Sequence, residues 1–178
     1  YALGLQGKNR IMLGGDFTSI NAIGRNRIAC VRNDGSVCLS GANGKVNKTL
    51  AHKNKKVIIG GAFTQVGGMT RNRIARLDDA GEVDTAFNPG NGANDIVHSA
   101  VLQADGKLLV GGAFTAFDGA GRNRLVRLHD DGSVDSGFAI GAGANDAVHA
   151  LDLQTDGKAV IAGAFTAYNG VTRNRLAR

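Results

Sequence analysis

The chain of 178 residues contains no tryptophan and a single proline, and no part of it is a long hydrophobic run. One proline excludes a proline-rich linker, and the composition does not fit a disordered tail. The apolar runs fall well short of the roughly 18 residues that a transmembrane helix requires, so we expect no membrane insertion. The chain is rich in glycine, with 27 residues, which suits tight turns and closely packed sheets.

A tandem repeat dominates the sequence. A Gly-x-Phe-Thr segment occurs four times, and an Arg-Asn-Arg triplet begins eight residues after each phenylalanine. Successive copies are spaced by 46, 51 and 51 residues, which divides one domain, 1–178, into units 1–59, 60–110, 111–161 and 162–178. A period near 50 residues is typical of propellers, solenoids and repeat arrays. The four phenylalanines, which we expect to pack between units, are Phe17, Phe63, Phe114 and Phe165, and the triplets begin at Arg25, Arg71, Arg122 and Arg173.

Each unit is predicted to form four short strands. Asp-Gly pairs such as Asp105-Gly106 separate the apolar runs and favour tight hairpin turns, so consecutive strands are neighbours in an antiparallel sheet. The sequence therefore predicts an all-β fold, a β-propeller with four-stranded antiparallel blades of about 51 residues. Because propellers close with about 4 to 8 blades, the roughly three and a half units are expected to belong to a larger ring. The strands predicted in one unit are 96–102, 107–114, 123–128 and 133–138.

Several motifs stand in a fixed order between residues 111 and 158, and similar strings occupy the same positions in unit 60–110. They are Gly-Gly-Ala-Phe-Thr, Arg-Asn-Arg-Leu-Val-Arg-Leu, Asp-Asp-Gly-Ser-Val-Asp, Gly-Ala-Asn-Asp-Ala-Val-His-Ala-Leu and Asp-Gly-Lys. This pattern resembles the delta-60 repeat of bacterial β-propeller proteins over nearly the whole chain, and the first unit departs from it between Leu39 and Lys56. The resemblance implies a propeller in large secreted or surface-attached bacterial proteins, hence an extracellular or cell-surface location, and it implies no defined activity.

Two other repeat architectures fit the sequence less well. Kelch propellers have a similar period, but their blades carry a recurring tyrosine and tryptophan that are missing here. A β-solenoid has shorter coils, and its strands are not joined by Asp-Gly hairpins.

The two cysteines are predicted to face each other across a hairpin. Alignment of the units places Cys30 where the regular units have arginine and Cys38 where they have aspartate, so both members of a cross-strand pair have changed together. A disulfide would replace the ion pair and would support an extracellular location, with two half-buried thiols as the alternative. The ion pairs predicted at these positions in the regular units are Arg76 with Asp84 and Arg127 with Asp135.

The positive net charge of +6 resides in the first unit. Residues 1–59 hold ten Lys and Arg against two Asp, whereas residues 60–178 hold eleven against thirteen acidic residues. Because the nearly neutral units also carry Arg-Asn-Arg, we expect these arginines to pair within the protein, and nucleic acid is not an expected partner. Five lysines in the divergent stretch form a candidate polyanion-binding loop, with a solvated surface as the alternative: Lys45, Lys48, Lys53, Lys55 and Lys56.

No catalytic, cofactor or metal site is predicted. The sequence offers no Ser-His-acid set, no nucleophilic cysteine motif and no phosphate-binding glycine loop that leads into a helix. His98 and His149 recur at the start of the first strand of their units, but Tyr1 takes the same position, which argues against a catalytic base. The Asn-Asp loops at 92–95 and 143–146 are candidates for a sugar-binding rim, with turn formation as the alternative.

These observations favour a non-catalytic scaffold or interaction module of a secreted or cell-surface bacterial protein, serving adhesion, assembly or ligand binding. The expected partner is a protein or a cell-surface glycan, within a longer chain or a homo-oligomeric assembly. The alternative is a carbohydrate- or polyanion-binding propeller, or part of a polysaccharide-directed enzyme whose active site lies outside these residues. Fold alone does not separate these functions.

Overall fold

A computed structural model of the protein describes residues 2–6, 10–38 and 41–178. Within these ranges the chain forms 21 β-strands and one 3-10 turn at Lys53–Lys55, with no α-helix. None of the described segments is a helix long and apolar enough to cross a membrane. The residues divide into two compact units, Tyr1–Ala86 and Phe87–Arg178. From here on, unit means one of these two parts, and the sequence repeats are called repeats.

The first unit contains two sheets of repeat strands and two small hairpins. The sheets have the strand orders β1-β2-β5-β6 and β11-β8-β7, all antiparallel, and β3-β4 and β9-β10 are the hairpins. The strands are β1 (Ala2–Gln6), β2 (Arg10–Gly14), β3 (Ser19–Ile20), β4 (Ile23–Gly24), β5 (Ile28–Arg32), β6 (Val37–Cys38), β7 (Val46–Ala51), β8 (Val57–Gly61), β9 (Gln65–Val66), β10 (Met69–Thr70) and β11 (Ile74–Leu77).

The second unit repeats this plan. Its sheets have the orders β12-β13-β16 and β17-β18-β21, and its hairpins are β14-β15 and β19-β20. The strands are β12 (Val97–Leu102), β13 (Leu108–Gly112), β14 (Ala116–Phe117), β15 (Ala120–Gly121), β16 (Leu125–Leu128), β17 (Val148–Leu153), β18 (Ala159–Gly163), β19 (Ala167–Tyr168), β20 (Val171–Thr172) and β21 (Leu176–Ala177). The prediction of an all-β fold built from repeated antiparallel sheets is confirmed.

The fourth strand of a repeat is short. In the first repeat it is β6, whereas in the second and third it is reduced to the single bridges Leu77–Val83 and Leu128–Val134. The reason is local: one residue beyond each bridge, an aspartate side chain accepts a hydrogen bond from the backbone two residues further on. Such a turn competes with strand pairing and ends the ladder.

The small hairpins are a feature that strand prediction missed. Each joins its two strands through two residues that both have positive φ, for example Asp118 (47°) with Gly119 (76°) and Asn169 (50°) with Gly170 (76°). This is the conformation of a type I′ turn, and Asp-Gly and Asn-Gly are the sequences that favour it most. The predicted turn at Asp105-Gly106 is present as well, with Gly106 at a φ of 84°.

The stretch 45–56, expected to be an exposed loop, contains the first strand of the second repeat. Val46–Ala51 forms β7, which pairs with β8 in the same register, bulge included, that β12 and β17 use with their neighbours. The expectation of a loop was wrong because Val46 occupies the buried position of Val97 and Val148, although the residues around it differ from those of the other repeats.

Each unit has its own apolar core at the contact between consecutive repeats. In the first unit Met12 and Ile28 of the first repeat lie in one cluster with Val57, Ile59 and Phe63 of the second repeat. In the second unit the equivalent residues of the third and fourth repeats form the same kind of cluster: Leu109, Leu125, Val148, Leu151, Ile161 and Phe165.

Candidate functional site

The charged pair predicted in the second repeat is a three-residue ion cluster. Arg76 Nε lies 2.7 Å from Asp84 Oδ2, and Lys56 Nζ lies 2.8 Å from the same oxygen. Burial raises the pKa of Asp84, but the hydrogen bonds from Lys56 and Arg76 outweigh it and lower the pKa to about 2. Asp84 is therefore a charged anchor that ties the hairpin of the fourth strand to the sheet.

The third repeat contains the same cluster. Lys107 Nζ and Arg127 Nε lie 2.9 Å and 2.8 Å from Asp135 Oδ2, and the hydrogen bond from Lys107 is the main cause of a pKa of about 2 for Asp135. Arg127 also lies over the ring of Phe138, 4.3 Å from its centroid, which adds a cation–π contact. The lysine is the member that sequence analysis missed, although Asp-Gly-Lys recurs in the repeat.

The first repeat lacks this cluster because cysteines replace its arginine and aspartate. Cys30 and Cys38 are direct partners in the pairing of β5 with β6, and Cys30 is buried. The side chain of Cys38 lies outside the described part of the structure, so the disulfide remains a prediction. Arg10, which stands at the position of Lys56, donates instead to the carbonyl and carboxylate oxygens of Asp79.

The last arginine of each Arg-Asn-Arg triplet holds the Gly-Ala-Phe-Thr segment. Arg73, Arg124 and Arg175 have φ values of 67°, 66° and 68°, and each donates through Nη1 to the carbonyl of the alanine before the phenylalanine. In the first repeat that alanine is Asp16, and Arg27 Nε lies 3.4 Å from its carboxylate. The fixed spacing of the two motifs therefore follows from a direct contact between them.

The asparagine of each Asn-Asp loop has a structural contact of the same kind. Asn94 Oδ1 accepts hydrogen bonds from the backbone of Thr115 and Ala116, and its Nδ2 donates to Thr115 Oγ1 at 3.0 Å. Asn145 makes the same three contacts with Thr166 and Ala167. These amides fix the backbone that follows each phenylalanine. This role supports turn formation, and not sugar binding, for the loops at 92–95 and 143–146.

The five lysines proposed as a polyanion-binding loop are spread along β7 and its turn. Lys45 precedes the strand, Lys48 lies within it and Lys53 begins the turn after it. At about 3.3 Å per residue, Lys45 and Lys53 are separated by roughly 25 Å of chain. Lys55 and Lys56 pair with Asp79 and Asp84 at 3.3 Å and 2.8 Å. Two of the five lysines are thus paired with aspartates of the protein itself, and polyanion binding stays a prediction.

Two sheet faces expose apolar side chains that the equivalent positions of other repeats bury. Ile11 in the first repeat is 42% exposed, whereas its equivalents Val57 and Leu108 are 1% and 3% exposed. Leu176 in the fourth repeat is 59% exposed, whereas Leu125 is 3% exposed. We call these the leading face, formed by Leu3, Leu5, Ile11, Leu13 and Phe17, and the trailing face, formed by Val160 and Leu176.

One cavity borders the leading face, and a second lies between the third and fourth repeats. A cavity of about 340 Å³ on the leading face is lined by Leu3, Leu13, Phe17 and Ile20. A cavity of about 440 Å³ in the second unit is lined by Arg127, Phe138, Lys158 and Tyr168. Burial raises the pKa of Tyr168. Among the described residues no group of three or more His, Cys, Asp or Glu is arranged to hold a metal ion.

The comparison with protein families agrees with this repeated geometry. A family model described as a domain of unknown function (DUF5122) beta-propeller matches residues 7–40, 52–87, 103–138 and 154–178, most of the chain. No curated protein gives a significant match. The matched segments contain all four Phe-Thr segments and their Arg-Asn-Arg triplets. The chain therefore belongs to the DUF5122 β-propeller family.

Proposed function

We propose that the chain is a non-catalytic scaffold module, of the delta-60 kind, in a secreted or cell-surface bacterial protein, and that it assembles by stacking repeat on repeat. The observation that carries the proposal is the pair of open apolar faces. Exposed apolar surface of this kind is typical of interaction sites. The recurrent arginines, asparagines and aspartates also support a scaffold role, because their contacts hold strands and loops of the repeat itself.

The proposed occupant of the leading face is another repeat of the same kind, which a second copy of this chain supplies in the isolated protein. Within the first unit, Met12 and Ile28 pack on Val57, Ile59 and Phe63 of the next repeat. Val160 and Leu176 are the fourth-repeat equivalents of Met12 and Ile28, and Ile11, Leu13 and Phe17 are the first-repeat equivalents of Val57, Ile59 and Phe63. The trailing face of one copy can therefore pack on the leading face of another through the same apolar contacts that join the first and second repeats.

Such a contact is heterologous, because it joins two different surfaces of the same protein. Sedimentation velocity over a concentration series tests it. We expect the wild-type chain to associate, and Ile11→Lys or Leu176→Lys to shift the protein to monomer because each buries a charge in the contact. Met69→Lys is the matched control, since Met69 is equally exposed but lies at a hairpin tip.

Mixing the two variants sharpens the test. The Ile11→Lys chain keeps its trailing face and the Leu176→Lys chain keeps its leading face, so an equimolar mixture should form dimers and nothing larger. A wild-type chain that stays monomeric at high micromolar concentration would refute the proposed assembly, as would equal association of all variants.

The proposed location rests on the delta-60 resemblance, and an oxidised cysteine pair would support it. A disulfide between Cys30 and Cys38 would fit an oxidising, extracellular compartment, and closing so short a loop contributes about 2.5 kcal/mol in the chain-entropy model. Alkylation of the denatured protein followed by intact mass spectrometry tests it. We expect no alkylation without reductant and two alkylated cysteines with it. Two alkylated thiols in the unreduced protein would contradict the disulfide.

A further inference from the structure

Two histidines occupy the same irregular position in consecutive repeats of the second unit. In the pairing of β12 with β13 the register shifts between Val97 and Ser99, so His98 is an extra residue in a β-bulge. In the pairing of β17 with β18 the shift falls between Val148 and Ala150, which makes His149 the bulged residue. A bulge redirects a side chain and is common beside functional sites.

The two bulges bring the imidazole rings together. The ring centroids of His98 and His149 are 4.9 Å apart, and the ring planes make an angle of 62°, so the rings meet edge to face. An imidazole nitrogen bound to Zn²⁺ lies about 2.0–2.1 Å from the ion, so two imidazoles that share one ion at an angle of roughly 100° have centroids about 5 Å apart. Non-parallel planes allow one nitrogen-bearing edge of each ring to turn toward a common point.

We propose that His98 and His149 form a two-imidazole binding site for a divalent transition-metal ion. The spacing of the rings is that of two ligands on one ion, and imidazole suits copper, nickel and zinc. Sequence analysis predicts no metal here because the residues are 51 positions apart and carry no short ligand motif.

The strands that carry the two histidines are held firmly against each other. Leu151 N donates to Ser99 Oγ at 3.2 Å, and this contact is buried. Gly111 lies against Val148 and Leu151, with too little room between them for a side chain at position 111. A site whose ligands stand on packed strands keeps its geometry better than a site on loops.

The exposure of the two histidines and the number of nearby ligands determine which kind of metal site they can form. His98 is half-buried and His149 is exposed, so an ion reaches the rings directly from solvent. Within the described ranges no third His, Cys, Asp or Glu joins them. Water therefore completes the coordination, which leaves positions open for a ligand from solution. By the general order of stability, Cu²⁺ binds more tightly than Ni²⁺ or Zn²⁺.

Isothermal titration calorimetry with Zn²⁺ on the untagged full chain tests the site. We expect one ion per chain, and binding weaker by about 10- to 100-fold or more in His98→Asn and in His149→Asn, since even outer-shell changes reach that size. Asparagine is a matched replacement, because Asn47 occupies the same bulge in the second repeat. Electron paramagnetic resonance with Cu²⁺ should show two nitrogen ligands in the wild-type chain and one in either variant.

His52→Asn and His129→Asn serve as controls and should bind Zn²⁺ as the wild-type chain does. Circular dichroism and the melting temperature of each variant without metal check that the fold is intact. Absence of Zn²⁺ binding by the wild-type chain would overturn the proposal, and so would unchanged affinity in both bulge variants.

Discussion

At the scale of single residues, Asp84 shows how the repeat uses charge. Its side chain is 10% exposed and accepts from both Lys56 and Arg76. Burial opposes ionisation, yet the two cations hold the pKa at about 2. Because the pKa is lower in the folded than in the unfolded state, the interaction stabilises the fold above about pH 4 and loses its effect as the pH falls toward 2.

Replacement of Asp84 by asparagine removes this anchor. We expect Asp84→Asn to lower the free energy of unfolding by about 2 kcal/mol at pH 7, and the difference from wild type to shrink as the pH falls below 4. Urea denaturation at several pH values measures both effects. Glu82→Gln is the control, since the side chain of Glu82 is exposed in the same segment. A cost for Asp84→Asn that stays constant down to pH 2 would contradict the ionic explanation.

At the scale of strands and turns, much of the fold follows from the sequence. The Asp-Gly turns and the antiparallel order of the main strands were predicted, and so was the pairing of Cys30 with Cys38 across β5 and β6. These features depend on contacts between residues close in sequence, and a turn sequence alone sets the register of a hairpin. Local patterns are therefore enough to predict them.

Contacts between residues far apart in sequence were not predicted. The lysine that joins each ion cluster lies 28 residues before its aspartate, and His98 meets His149 only because two strands of different repeats pack side by side. The bulge that presents each histidine is also invisible in the alternation of apolar residues. Contacts of this kind need the packing of sheets, which a single unit of sequence does not contain.

Two glycines of the third repeat differ in the space around them: Gly112 ends β13, and Gly121 ends β15 of the small hairpin. A side chain at residue 112 would lie against the carbonyl oxygen of Ile96 and 3.0 Å from the ring of Phe114. Gly121 has no atom within 4 Å of the equivalent point. The first glycine is therefore required by a close approach of backbone, whereas the second is not.

Alanine substitutions at Gly112 and Gly121 test whether the close approach of the backbone makes glycine necessary at position 112. We expect Gly112→Ala to destabilise the protein by about 1–3 kcal/mol or more, because the backbone at Ile96 must move to admit a methyl group. Gly121→Ala should change stability by less than about 0.5 kcal/mol, since it is a surface change. Chemical denaturation of the two variants measures the difference. Equal costs would show that the approach to Ile96 does not constrain the strand.

At the scale of the whole molecule, the two repeats inside each compact unit share one apolar core. The free energy of such an array is a sum of repeat terms and of terms for the interfaces between them. Phe63 and Phe17 have the same place in consecutive repeats of the first unit. Phe63 is fully buried in the cluster that includes Met12 and Ile28, whereas Phe17 on the leading face is half-buried.

The same substitution should therefore have different costs at the two positions. We expect Phe63→Ala to lower the free energy of unfolding by about 3–5 kcal/mol, the usual range for a buried aromatic residue, and Phe17→Ala by less than half of that in dilute protein. At concentrations where copies stack, the cost of Phe17→Ala should rise, because its ring is then covered as Phe63 is. Thermal and urea unfolding at two protein concentrations measure this dependence. A cost at Phe17 that matches the cost at Phe63 in the monomer would mean that burial by the adjoining repeat does not determine the energetics of this position.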